Sequence, residues 1–212
     1  MRKLKACFKE SAAHFKNLRA LVLCAMLIGL HMVLTSVRID LSPQLRVGVG
    51  FLTQALTGML FGPVMGMCSG ALSDVLGYLV KPGGSYFPGF TVTAIIGGLI
   101  YGLLLYDWRP QQPLHAAEKN EIPRLSRFLR HILKPAGRAF LAKGLINIFC
   151  NMLLNTLWLS ILYGDAIAVL LPERIIKNLA LWPFESLLLF LVAVTVGNAV
   201  KRLSGVPLRR HT

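Results

Sequence analysis

The chain has 212 residues, of which 55% are hydrophobic and 15% charged, and its 23 Lys and Arg against 9 Asp and Glu give a net charge of +14. That is too apolar for an ordinary soluble domain, and the basic residues flank apolar runs, a pattern that the positive-inside rule explains better than a nucleic-acid partner does. The four cysteines (Cys7, Cys24, Cys68 and Cys150) form no Cys-x-x-Cys pair, which argues against a disulfide framework or a zinc site.

The first nineteen residues form a basic tail. Leu4, Phe8, Ser11, Phe15 and Leu18 recur in it at helical spacing, with Lys5, Lys9 and Lys16 elsewhere. The spacing suits a helix on the inner leaflet, with a disordered basic tail as the alternative. Residues 20–37 are a first membrane span. No small-residue cleavage site follows it, so the run reads as a retained span and not a secretory signal. Residues 47–80 carry Asp74 as their only charge and are too long for one span; Gly62-Pro63 divides them into two, joined by a very short hairpin. Residues 86–106, 144–163 and 178–200 complete a set of six spans. A β-barrel is excluded, because its strands alternate over about ten residues.

The N-terminal tail, the segment 107–143 and the tail from Lys201 hold eighteen of the 23 basic residues, and with six spans they share one face. Arg38, Arg46, Lys81, Arg174 and Lys177 lie on the other. The imbalance makes both termini cytoplasmic and 107–143 a basic cytoplasmic loop of a single transmembrane domain covering 1–212.

Polar groups inside a bilayer are costly and mark either function or interhelical bonding. The orientation places Asp74, Tyr78, Asn155, Thr156, Trp158, Lys177, Asn178, Trp182 and Glu185 in the outer half of the spans. Two outer loops, 38–46 and 80–90, add arginines and aromatics. The outcome is a pocket open to the outside, with aromatics for a flat ring and cations for an anionic group. Asp74 and Glu185 have a second reading, as bonds between neighbouring helices. Asn147, Asn151 and Asn155 form one stripe that reads as helix-packing glue except at Asn155, and Trp158 and Trp182 also suit an interfacial belt. His31 reads as a satisfied packing residue, and Lys81 as a solvated loop charge. The pairs Ala25/Gly29, Gly58/Gly62 and Gly62/Gly66 permit close helix approach.

No P-loop, His-Glu-x-x-His or Gly-x-Ser-x-Gly motif is present, so neither ATP binding nor a protease or hydrolase is supported, and powered transport would need a partner.

The segments Gly58-Met-Leu-Phe-Gly-Pro63, Gly70-Ala-Leu-Ser-Asp74-Val-Leu-Gly77 and Gly83-Gly-Ser-Tyr-Phe-Pro-Gly-Phe-Thr91 resemble the substrate-capture (S) components of energy-coupling factor (ECF) vitamin transporters. Tyr86-Phe-Pro-Gly-Phe-Thr91, Leu45-Arg-Val-Gly48 and Ile176-Lys-Asn178 are most similar to the folate-specific member. The resemblance implies a six-helix bundle in the bacterial cell membrane that binds folate from outside. It needs no cofactor or metal, catalyses no reaction, and works with a transmembrane coupling protein and two ATPase subunits. It also implies that span one touches the coupling protein, where Ala25 and Gly29 stand in place of an Ala-xxx-Ala motif. A pterin ring suits aromatics and amides, and a glutamyl tail suits arginine. The expected binding residues are therefore Arg38, Arg46, Tyr86, Phe90, Asn155, Trp158, Asn178 and Trp182. Another vitamin such as pantothenate, an intramembrane enzyme, or a structural membrane protein are the competing expectations.

Overall fold

A computed structural model describes residues 2–36, 39–40, 46–80, 86–106, 136–164 and 167–202. The elements are helical apart from one antiparallel pair of two-residue strands, Ile39–Asp40 (β1) and Arg46–Val47 (β2), in which Asp40 faces Arg46. The helices are α1 (Arg2–Ala13), α2 (Leu18–Ser36), α3 (Phe51–Val80), α4 (Pro88–Leu105), α5 (Ala136–Tyr163) and α6 (Ile167–Arg202). Five of them, α2 to α6, contain stretches long and apolar enough to cross a membrane. Helix α5 starts at Ala136, ahead of the expected residue 144, and α6 runs through Pro172 and Pro183.

Helix α3 is two helical arms. Gly62 has φ 86 and ψ −172, a left-handed-side conformation that a side chain would resist, and Pro63 follows it. The chain then folds back on itself. A Cβ built on Gly66 would lie 3.4 Å from the Cα of Gly58, and one on Gly70 only 2.7 Å from Nε2 of Gln54. In a straight helix residues eight apart are separated by about 12 Å. The expected break at Gly62-Pro63 is therefore a tight helical hairpin.

Helix α4 packs into the hairpin where both partners lack side chains. A Cβ on Gly98 would overlap the carbonyl of Gly66, and one on Gly58 would stand 2.8 Å from the amide nitrogen of Gly102. Small residues let backbones approach closely where no hydrophobic driving force separates protein from lipid. Around this seam lies the main apolar core, with Leu56, Met59, Tyr101, Leu105, Ile146 and Leu189 buried in it. Two of the four thiols, Cys24 and Cys150, are buried; Cys68 is exposed and Cys7 half-buried.

The N-terminal tail is helical and docked. Ser11, on the apolar face of α1, is fully buried at the hairpin turn. Its hydroxyl donates to Phe61 O (2.7 Å) and accepts from the amides of Val64 (2.9 Å) and Met65 (3.3 Å). These amides open the second arm and have no partner within it, so α1 caps the arm from outside. His14 completes the contact, edge-on to Phe61 at 5.8 Å and 3.4 Å from the Tyr106 hydroxyl. Burial lowers the His14 pKa from its ordinary value, with Glu10 pulling it the other way. Ser11→Ala should lower the stability of the solubilised protein by about 1–3 kcal/mol, because it strands two buried donors and an acceptor. Thermal unfolding of the variant against the parent measures this, and an unchanged midpoint would contradict it.

Candidate functional site

A cavity of about 470 Å³ opens between α2, both arms of α3, α4, α5 and α6. Its volume is in the range of sites for small molecules. Helix α4 lines it turn by turn with Phe87, Phe90, Ala94, Gly97 and Tyr101. Helix α5 runs antiparallel to α4, as the Arg138–Leu104 and Trp158–Thr93 bonds require, so Tyr163 lies toward one end and Lys143 toward the other.

The first end is aromatic. Tyr78 and Tyr86 stand 5.2 Å apart between ring centroids, and Phe87 and Phe90 6.1 Å apart. Tyr86 is held by a chain of hydroxyls. Thr91 donates to Asp74 Oδ2 at 2.7 Å, so its oxygen is left to accept the phenol proton of Tyr86, also at 2.7 Å. Asp74 thus bonds a neighbouring helix while lining the cavity. Behind the wall, Trp158 packs 5.7 Å from Phe87 and donates to Thr93 Oγ1 at 3.0 Å; Gly89 leaves room for its ring.

Between the ends, α5 carries an amide ladder. Residues Ile146–Leu154 are π-helical, a widened winding frequent at functional sites. Asn151 donates to Asn147 Oδ1 (2.9 Å), and Asn155 reaches Asn151 Oδ1 at 3.5 Å. Arg174, only 9% exposed, donates to the Asn151 carbonyl at 3.2 Å, and Asn147 reaches the carbonyl of Asn178 at 3.5 Å. His31 donates from Nδ1 toward Gly50 O (3.0 Å) and Thr53 Oγ1 (2.8 Å), so it is satisfied as expected while also lining the cavity.

The second end is charged. Lys143 Nζ lies 3.3 Å from Glu185 Oε2 and 3.7 Å from the centroid of the Phe51 ring, a cation–π position. Its side chain is 3% exposed. The Lys143–Glu185 bond ties α5 to α6 inside the apolar body.

Of the eight expected binding residues, Tyr86, Phe90, Asn155 and Asn178 line the cavity. Trp158 braces the wall from behind. Arg38 lies outside the described residues, as does Lys81, and of Arg46 only the strand backbone is described. Trp182 is not on the lining: its ring stacks on Phe140 at 4.5 Å and its Nε1 donates to Phe140 O at 3.1 Å. Trp182 and Glu185, both expected in the outer half, stand instead at the level of Phe140 and Lys143 near the start of α5, where Gly144, whose missing side chain makes a slot for the indole, seats the ring.

Two cations lie where the sequence does not put them. Lys143 is not a loop charge but a buried intramembrane one, and Arg174 is not an outer-loop charge but a helix–helix bond beside the cavity. A signal for both was present. Lys143 continues the Asn147, Asn151, Asn155 stripe at the same spacing of four, and Arg174 and Asn178 are also four apart. Among the described residues no cluster of His, Cys, Asp and Glu is placed to hold a metal ion. The partner-surface candidates Ala25 and Gly29 are exposed on α2, and nothing lies within 4 Å of a Cβ built on Gly29.

An apolar helical body enclosing a cavity with an aromatic end and a buried charged end is built to hold a small polar molecule within a membrane protein. Comparison with known proteins agrees. The Folate transporter FolT of Clostridium novyi (strain NT) is 33% identical over 175 residues, covering 82% of this chain and 88% of that protein. The Folate transporter FolT of Leuconostoc mesenteroides is 32% identical over 173 residues, covering 79% and 80%. A crystal structure of FolT bound with folic acid superposes with a TM-score of 0.65 at 27% identity, covering 84% of this chain and 95% of that one. Residues 19–193 match the family described as ECF transporter, substrate-specific component, and the chain belongs to that family.

Proposed function

We propose that this chain is the folate-binding S component of an ECF-type vitamin importer in a bacterial cell membrane, and not an enzyme. Its cavity, walled by Tyr86, Phe87 and Phe90 and crossed by amides, suits a flat heterocycle with a polar tail; this observation carries the reading together with the folate transporters it resembles. In the proposed arrangement the chain crosses the bilayer six times, the hairpin arms counting separately. Both termini and residues 107–135 lie in the cytoplasm. Tyr86, Phe90, Asn155 and Asn178 contact the ligand, Arg38 and Arg46 reach its carboxylates, and Trp158 supports the wall. The exposed Ala25–Gly29 stripe meets a transmembrane coupling protein, which two ATPase subunits energise.

The test is ligand capture by the purified protein. Folic acid should raise its melting temperature and bind tightly, and pantothenate should do neither. Stabilisation by pantothenate alone would replace folate by another vitamin, and no ligand at all would remove the transport reading. Gly29→Leu should leave folic acid binding intact while abolishing uptake by the assembled importer; full uptake in that variant would move the coupling surface elsewhere.

A further inference from the structure

Tyr101 is the feature of the cavity that the fold leaves unexplained. It is 1% exposed, it lines the cavity, and its hydroxyl has no hydrogen-bond partner among the described residues. Buried polar groups are nearly always paired, because an orphaned one costs about 1–3 kcal/mol. A phenylalanine would fill the same apolar space without that cost. Tyr101 lies on the α4 turns toward the Lys143 end, and Lys143 and Glu185 line the same cavity. Lys143 is itself incompletely used. One of its three N–H groups points to Glu185 and the Phe51 face takes up the charge, while Glu185 engages Lys143 through Oε2.

We propose that Tyr101, Lys143 and Glu185 form a ligand-binding subsite at the inner end of the cavity, which takes the hydrogen-bonding edge of a flat heterocycle. An oxo group accepts from the Tyr101 hydroxyl and the Lys143 ammonium. Adjacent ring N–H or amino groups donate to the remaining oxygen of Glu185. Lys143 and Glu185 balance each other's charge, so the three groups suit a polar edge rather than an anion. The ligand's carboxylates are left to the other end of the cavity. This assignment rests on the reading of the cavity as a folate site and adds the residues that read the ring.

Tyr101→Phe tests it, since the change removes one oxygen and keeps the packing. Two results are expected together. The ligand-free variant should melt at the same or a higher temperature than the parent, because an unpartnered buried hydroxyl has been removed. Its affinity should fall about tenfold, by the same factor for folic acid and for pteroic acid, which has the ring without the glutamate. An unchanged affinity overturns the subsite. So does a lower ligand-free melting temperature, which would reveal a structural partner for the hydroxyl, and so does a loss confined to folic acid. If the parent binds no folic acid, the folate reading falls by itself. The same comparison is then made with riboflavin, another oxo-substituted heterocycle. Parent binding that Tyr101→Phe weakens tenfold keeps the subsite, and binding that it leaves unchanged, or none, overturns it.

Discussion

Lys143→Met is expected to destabilise the ligand-free protein by about 3–5 kcal/mol, because it leaves the Glu185 carboxylate without its cation inside the apolar body. The double variant Lys143→Met with Glu185→Leu should recover most of that loss. Both charges are then gone, and replacing a buried pair by apolar groups of similar volume is often neutral or stabilising. Neither variant should bind folic acid as the parent does, since both lack the polar end of the cavity. Melting temperature and equilibrium binding, measured on all three proteins, separate the effects. A single variant as stable as the parent would mean that water reaches the pair and screens it. A double variant that stays unstable would mean that Lys143 matters for packing against Phe51 rather than for charge.

Gly98→Ala should be the most damaging methyl group that can be added to the seam between α3 and α4. The new Cβ would overlap the Gly66 carbonyl and stand 2.9 Å from the Met67 amide nitrogen. Both obstacles are backbone, so no side chain can turn aside, and the helices must separate. A cost of about 3 kcal/mol or more is expected. Gly77→Ala, in the same hairpin, is the control. Its only neighbour is the end of the Met32 side chain at 4.0 Å, so the substitution should be neutral or slightly stabilising through helix propensity. Yield and melting temperature of the two variants should diverge sharply, and equal behaviour would contradict the close approach of the two helices.

The contrast between Gly62 and Lys143 shows what the sequence made legible. A glycine followed by proline in the middle of an apolar run is a local signal, and the hairpin sits where that signal fell. Lys143 carries a local signal that misleads. A charge at the edge of an apolar run reads as the end of the span, which puts Lys143 in the basic loop. Its partner Glu185 is on another helix, and no local pattern joins the two. Arg174 escaped for the same reason, its bond being to a carbonyl on the facing helix. Tyr86, Phe90, Asn155 and Asn178 line the cavity. Trp182 does not: its ring lies on Phe140 at the charged end of the cavity, where a glycine on α5 leaves room for it. Tyr101 offered no signal at all, since a tyrosine inside a span is unremarkable until its hydroxyl is found without a partner.

The docking of Ser11 changes where the working unit should be taken to start. The stretch shared with the family begins at residue 19, and a basic leader ahead of it would ordinarily be trimmed or replaced by a purification tag. Here the leader supplies a hydroxyl to the hairpin turn, and two amides of the second arm have it as their acceptor. A truncation at residue 18 would therefore act like a point mutation at the hairpin turn. Because the leader is bonded to the turn through Ser11, the two are held as one piece. A probe attached to α1 would then report the motion of the hairpin, although it sits at the opposite end of the chain from the cavity walls of α5 and α6.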